Sequence, residues 1–146
     1  MQQREVVRAR GHENVTAKHG STFEVTSDGW LTPAGDCILA VEADRVPADF
    51  DDAFVEACRD PDATITATIT ATTDDDETYE ETIEGRGDPD LSFENERSHV
   101  GRTSDYVDDR TILVGADAAA GDLGRELVEA LADGAEVRFE LVVESA

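Results

Sequence analysis

Lysine is almost missing from this chain: of its 12 basic residues only Lys18 is not arginine, and 35 acidic residues stand against them. Cysteine is scarce as well. Cys37 and Cys58 alone provide neither a disulfide framework nor a zinc-ligand spacing, and in a reducing compartment both are expected to stay thiols. Long apolar runs are lacking too, because the strongest, Ile38 to Val41, is cut at once by Glu42. No membrane span and no signal-peptide core fits such a pattern, so a cytoplasmic location with no membrane partner is expected. Phosphate loops, dinucleotide-binding glycines, nucleophile elbows and zinc-finger spacings are likewise absent.

What is present is acid, with a formal charge of −23 over 146 residues. The acids are spread through every segment, and the apolar residues between them keep regular periods, which a disordered acidic tail would not. Short hydrated carboxylates replacing lysine stems fit the acidic surface of a halophilic protein. Molar salt shortens the screening length to about 3 Å. The charge on that reading says little about partners.

The chain repeats itself. Shifted by 73 positions, Val41 to Asp60 lies over Val114 to Asp133 without a gap, and eight of the twenty pairs are identical. Shifted by 76, Arg10-Gly11 lies over Arg86-Gly87. The expected fold is therefore α+β in one domain, 1–146. An internal duplication of a β-rich unit (copy one about 4–73, copy two about 79–143) carries one helix per copy, with mixed or antiparallel sheets closing around a pseudo-twofold axis.

Periodicity places the elements. Strands are expected at 4–10 and 79–86, at 15–19 and 22–26, at 37–43 and 111–116, and at 64–72 and 136–143. Asp49 and Asp122 are the expected helix N-caps, ahead of apolar faces at Phe50, Phe54, Ala57 and Cys58 and at Leu123, Leu127, Ala130 and Leu131. Threonines alternating with Ile65, Ala67, Ile69 and Ala71 predict a strand with a Thr ladder on its open side. A hairpin should follow at Asp74 to Glu77, and the last strand should pair with the first.

Several residues invite a functional reading. Arg4, Arg8 and Arg10 share one strand face and would suit RNA or a protein partner; the duplication sets Arg4 over Glu80 and Arg8 over Glu84, so cross-strand ion pairs are the expected alternative. Arg10 and Arg86 both precede a glycine and, with Arg102 and Arg110, are the candidate anion-binding residues, with bracing of the fold through Asp90 and its neighbours as the alternative for the first two. His99 falls in the same locally less acidic stretch. Asp44 and Asp117 end equivalent strands, where loop capping competes with acid–base chemistry or a hold on Mg²⁺. His12, His19, Asp36 and Cys37 are the candidate catalytic group: an imidazole lowering the thiol pKa, with Asp36 orienting it, against a buried thiol beside a turn-capping Asp. An extended strand would hold His12 and His19 roughly 20 Å apart on opposite faces, so no metal site is expected.

The segments Gly11-His12-Glu13-Asn14-Val15-Thr16-Ala17-Lys18-His19, Leu31-Thr32-Pro33-Ala34-Gly35-Asp36-Cys37-Ile38, Val100-Gly101-Arg102-Thr103-Ser104 and Asp109-Arg110-Thr111-Ile112-Leu113 together resemble the archaeal family known as domain of unknown function 371, in a haloarchaeal-type member. That resemblance implies an archaeal source and no reaction or cofactor. The first expectation is then a small-ligand or nucleotide pocket at His12, His19, Asp36 and Cys37, with catalysis open. The second is a non-catalytic interaction module binding RNA or protein through the N-terminal arginines.

Overall fold

Alternation of buried and open positions builds two four-stranded sheets, described by a computed structural model over residues 2–145. The strands are β1 (Gln2–Arg10), β2 (Thr22–Thr26), β3 (Ile38–Ala40), β4 (Thr64–Thr72), β5 (Thr78–Arg86), β6 (Ser98–Arg102), β7 (Thr111–Leu113) and β8 (Glu136–Glu144). Helix α1 (Asp52–Cys58) precedes β4, and α2 (Arg125–Ala132) precedes β8. The first sheet has the order β1-β8-β4-β5, antiparallel throughout. The second has the order β3-β2-β6-β7, with a central antiparallel pair and parallel edges. The first and last strands do pair, Gln2 opposite Glu144.

The sheets face one another across the core, where Phe23 of β2 meets Phe139 of β8 edge to face with centroids 6.3 Å apart. Val7, Ile65, Ile69, Ile83 and Leu141 fill the first sheet's inner side, and Leu39 and Ile112 the second's. Each such side chain withdrawn from water contributes about 1.5–3 kcal/mol before chain entropy is charged against it. Phe54 and Cys58 on α1, and Leu127 and Leu131 on α2, close the sides. The loop after β1 packs on the end of α2 so tightly that a Cβ on Gly11 would lie 1.9 Å from the Leu131 carbonyl oxygen. Gly87, after β5, meets the Cys58 carbonyl of α1 in the same way, at 2.2 Å.

Local geometry recurs 73 to 76 positions apart. Glu24 and Val25 lie in register with Ile38 and Ala40, and Val100 and Gly101 with Thr111 and Leu113. Positive φ occurs at Ala17 and Phe93, and again at Glu42 and Gly115. Asp44 accepts the Arg8 N–H and Asp117 the Glu84 N–H, so both serve as loop and edge-strand caps.

Three expectations need correction. Residues 15–19 form no strand: Ala17 turns the chain at φ 48, and the Lys18 and His19 N–H groups bond the Asp36 carbonyl instead of a sheet neighbour. Asp49 and Asp122 are not the N-caps of the α-helices. They close the 3₁₀ turns Pro47–Asp49 and Ala120–Asp122, with their carboxylates reaching back to the Val46 and Ala119 N–H groups. The caps proper are Asp51 and Gly124, whose own N–H groups are held by Glu5 and Glu81. Arg4 and Arg8 do not pair with Glu80 and Glu84, because β1 and β5 are opposite edges of one sheet with β8 and β4 between them. Arg4 pairs instead with Glu140 on β8, at 3.2 Å.

Candidate functional site

The histidine segment is built from turns. His12 Nδ1 accepts the Asn14 N–H at 3.0 Å, the contact that Asp88 Oδ1 makes with the Asp90 N–H. His19 Nδ1 accepts the N–H groups of Ser21 and Thr22, as Asn95 Oδ1 accepts those of Arg97 and Ser98. An imidazole nitrogen that accepts a backbone N–H must be unprotonated, so in both rings any proton on the neutral form sits on Nε2. The two side chains thus do work that short carboxylate and amide side chains do 76 positions later.

Cys37 precedes β3 and sits on the outer face of the second sheet. Its Sγ lies 3.5 Å from Glu24 Oε1. Burial and the Glu24 carboxylate push the thiol up to about 11, far from an activated thiolate at neutral pH. Asp36 acts through its backbone, its carbonyl accepting from Lys18 and His19. His19 reaches the same neighbourhood through Thr22, whose Oγ1 is 3.1 Å from Nδ1. The structure therefore gathers His19, Asp36 and Cys37 around the start of β2, while His12 is engaged with its own turn.

Arg102 and Arg110 also converge, on Asp108. Each places a guanidinium nitrogen 3.0 Å from Oδ2, and Arg102 bonds Thr111 and stacks its guanidinium 4.9 Å from the Tyr106 ring centroid. Burial alone would raise the Asp108 carboxyl, yet the Arg110 bonds and the Arg102 charge together lower it to about 2. That carboxylate already occupies the position an anionic ligand would take between the two arginines.

His99 does not belong to that patch. It lies on the inner side of β6, fully buried, stacked on Phe50 at 5.3 Å and close to Phe139. Nε2 donates to the Arg45 carbonyl, and Nδ1 has no hydrogen-bond partner among the described residues. Burial depresses its pKa to about 4, so the ring is neutral. The two-residue period and its counterpart Phe23 were the available signals for an inward-facing residue. Glu5, 7% exposed, is another residue that composition conceals: it receives Arg45 at 2.7 Å and the Asp51 N–H at 2.7 Å, tying β1 to the start of α1.

The other candidate arginines, Arg4, Arg8, Arg10 and Arg86, lie on the open side of the first sheet. Arg4, Arg8 and Arg10 are exposed and point outward, as the two-residue period requires. Arg10 reaches Glu42, at 3.9 Å, and Arg86 packs beside Gly115. The threonines of β4, separated from β1 by β8 and adjacent to β5, share that face; there Thr68 and Thr82 share a hydroxyl contact and Thr70 bonds Glu80. Two shallow clefts, of about 240 and 320 Å³, border Arg8, and a third of about 500 Å³ lies between β5 and the start of α2. His12, His19, Asp36 and Cys37 line none of these three. Among the described residues no His, Cys, Asp and Glu side chains gather in a group able to hold a metal ion, and no helix is long and apolar enough to cross a membrane.

Residues 7–144 match the family model for a domain of unknown function, DUF371. An uncharacterized protein of Methanocaldococcus jannaschii is 35% identical over 138 residues, covering 94% of this chain and 98% of the relative.

Proposed function

Because this chain belongs to the DUF371 family, a membership that brings no reaction with it, we propose from its own geometry that it is a non-catalytic interaction module. Its binding surface is the outer face of the β1-β8-β4-β5 sheet, and its partner is a protein. One observation carries the reading: Arg4, Arg8 and Arg10 lie exposed on a sheet face that nothing in the fold covers, and Arg8 has no ion pair among the described residues. That face is also balanced. Its outward arginines, Arg4, Arg8, Arg10, Arg86 and Arg138, are matched in number by Glu80, Glu84, Glu136, Glu140 and Glu144, in a chain whose total charge is −23.

RNA fits this surface less well than protein. On β8, Glu136 stands opposite Arg10 and Glu140 pairs diagonally with Arg4, and no aromatic side chain points outward from any of the four strands to stack on a base. A small-ligand site at His19, Asp36 and Cys37 is weakened by the protonated thiol and by the structural use of His12 and His19.

The same reading includes an ancestral duplication. It is supported by the paired registers, the positive-φ positions and the turn caps that recur at spacings of 73 and 76 positions. Under it, the exposed faces of β1 and β5 began alike and have diverged, one to arginine and the other to glutamate.

A photo-crosslinking residue placed at Thr68 in the native host tests the surface, with Asp75 in the β4–β5 hairpin as control. Protein adducts are expected from Thr68, none from Asp75, and loss of the Thr68 adducts with Arg4→Glu/Arg8→Glu. No adduct from Thr68 overturns the reading.

A further inference from the structure

Resting on that reading of the sheet face, we infer that its partner is a second copy of this chain, packed face to face about a twofold axis that runs along the strands above the β8–β4 junction. The register supplies the argument. Across the sheet, Arg4 lies level with Val142, Thr66 and Glu84, and Arg8 with Arg138, Thr70 and Glu80. Each of these rows is basic at its β1 end and acidic at its β5 end.

A twofold axis parallel to the strands keeps every residue at its height and exchanges the two ends of each row. Arg4 of one copy then faces Glu84 of the other, and Arg8 faces Glu80, so each of the two contacts occurs twice. The central strands match as well: the charged residues of β8 meet the threonines of β4, whose hydroxyls serve either sign. No like charges are opposed in any row. Packed sheets stand about 10 Å apart, a gap that an arginine and a glutamate reaching from opposite sides can span.

The other in-plane axis, across the strands, lays β1 on β1 and β5 on β5. It would set Arg4 against Arg8 and Glu80 against Glu84, and opposed like charges cost several kcal/mol. The charge order therefore selects one dimer over its alternative. Four strands of nine residues present a footprint of about 30 by 19 Å, so two copies would bury roughly 1,100 Å², just above what a specific interface needs. At the β1 edge of the contact Glu42 and Asp44 border the face beside Arg10 and Arg8.

Sedimentation equilibrium of the purified chain in 1 M KCl tests this, since a screening length of about 3 Å suppresses repulsion between two acidic bodies and spares contacts at bonding distance. Wild type is expected at twice the chain mass. Arg4→Glu/Arg8→Glu and, separately, Glu80→Arg/Glu84→Arg should each be monomeric with association weakened at least about 100-fold, and folded by circular dichroism. Because the two pairs sit on opposite edges of the sheet, one variant remains informative if the other misfolds. Mixing the two variants should restore a dimer. Dimers in either folded variant alone, or no association in the mixture of the two folded variants, would overturn the proposed geometry. A monomeric wild type that still gives Thr68 adducts to a different protein removes self-association alone; a monomer with no adduct removes the interaction surface too.

Discussion

A buried histidine with one unpartnered nitrogen is the residue most sensitive to conditions here. His99 is neutral in the fold because burial depresses its pKa to about 4, whereas in the unfolded chain it titrates near 6.5. Between those values the unfolded state holds the extra proton. Stability from this group is thus complete above about pH 6.5 and is lost as the pH falls toward 4. Urea unfolding of wild type at pH 4.5 and pH 7 should differ by roughly 2–3 kcal/mol more than the same pair of measurements on His99→Phe, the ring that Phe23 supplies at the counterpart position. An equal acid loss in both proteins would remove His99 as its source. Cys37 illustrates the same physics on a thiol: burial beside a carboxylate keeps it protonated, which makes it a packing group with a polar neighbour.

At the scale of elements, small polar side chains decide where strands and helices begin. His19 holds the two N–H groups that lead into β2, and Asn95 holds the two that lead into β6. His19→Asn should therefore leave stability within about 0.5 kcal/mol of wild type, while His19→Ala should cost about 1 kcal/mol. Denaturant midpoints of the three proteins decide it, and an asparagine variant as weak as the alanine one would show that the ring does something else. Element types were largely legible: strand alternation and the apolar faces of the helices follow from periods of two and 3.6. Helix starts were not, because Asp49 and Asp51 are both good caps in isolation. Only the 3₁₀ turn and the contact from Glu5 across to the Asp51 N–H select the second.

The whole molecule carries −23 charges, and its ion pairs join only a minority of them. Self-repulsion should then weaken the fold in dilute salt. Raising KCl from 0.1 to 1 M shortens the screening length from about 10 to about 3 Å, and the melting temperature should climb. Each kcal/mol of repulsion relieved is worth about 3–4 °C in a chain of this length. A flat or falling melting curve across that series would mean that ion pairs outweigh the repulsion.

Sequence by itself determined the α+β class, seven of the eight strands and both helices to within a few residues, the Thr ladder and the pairing of the first strand with the last; it missed β6 and expected a strand at 15–19, where turns stand. The features it determined follow from side-chain period, a local property of the chain, and from similarity at spacings of 73 and 76 positions. Tertiary structure alone decided who stands beside whom. Arg4 and Glu80 look like partners while β1 and β5 are imagined side by side. Two central strands, β8 and β4, then separate them, because their alternating apolar residues make the better interior of the sheet. The same long-range pairing turned His99 into the core, gave His12 and His19 to turns, and left an arginine edge and a glutamate edge on one open face.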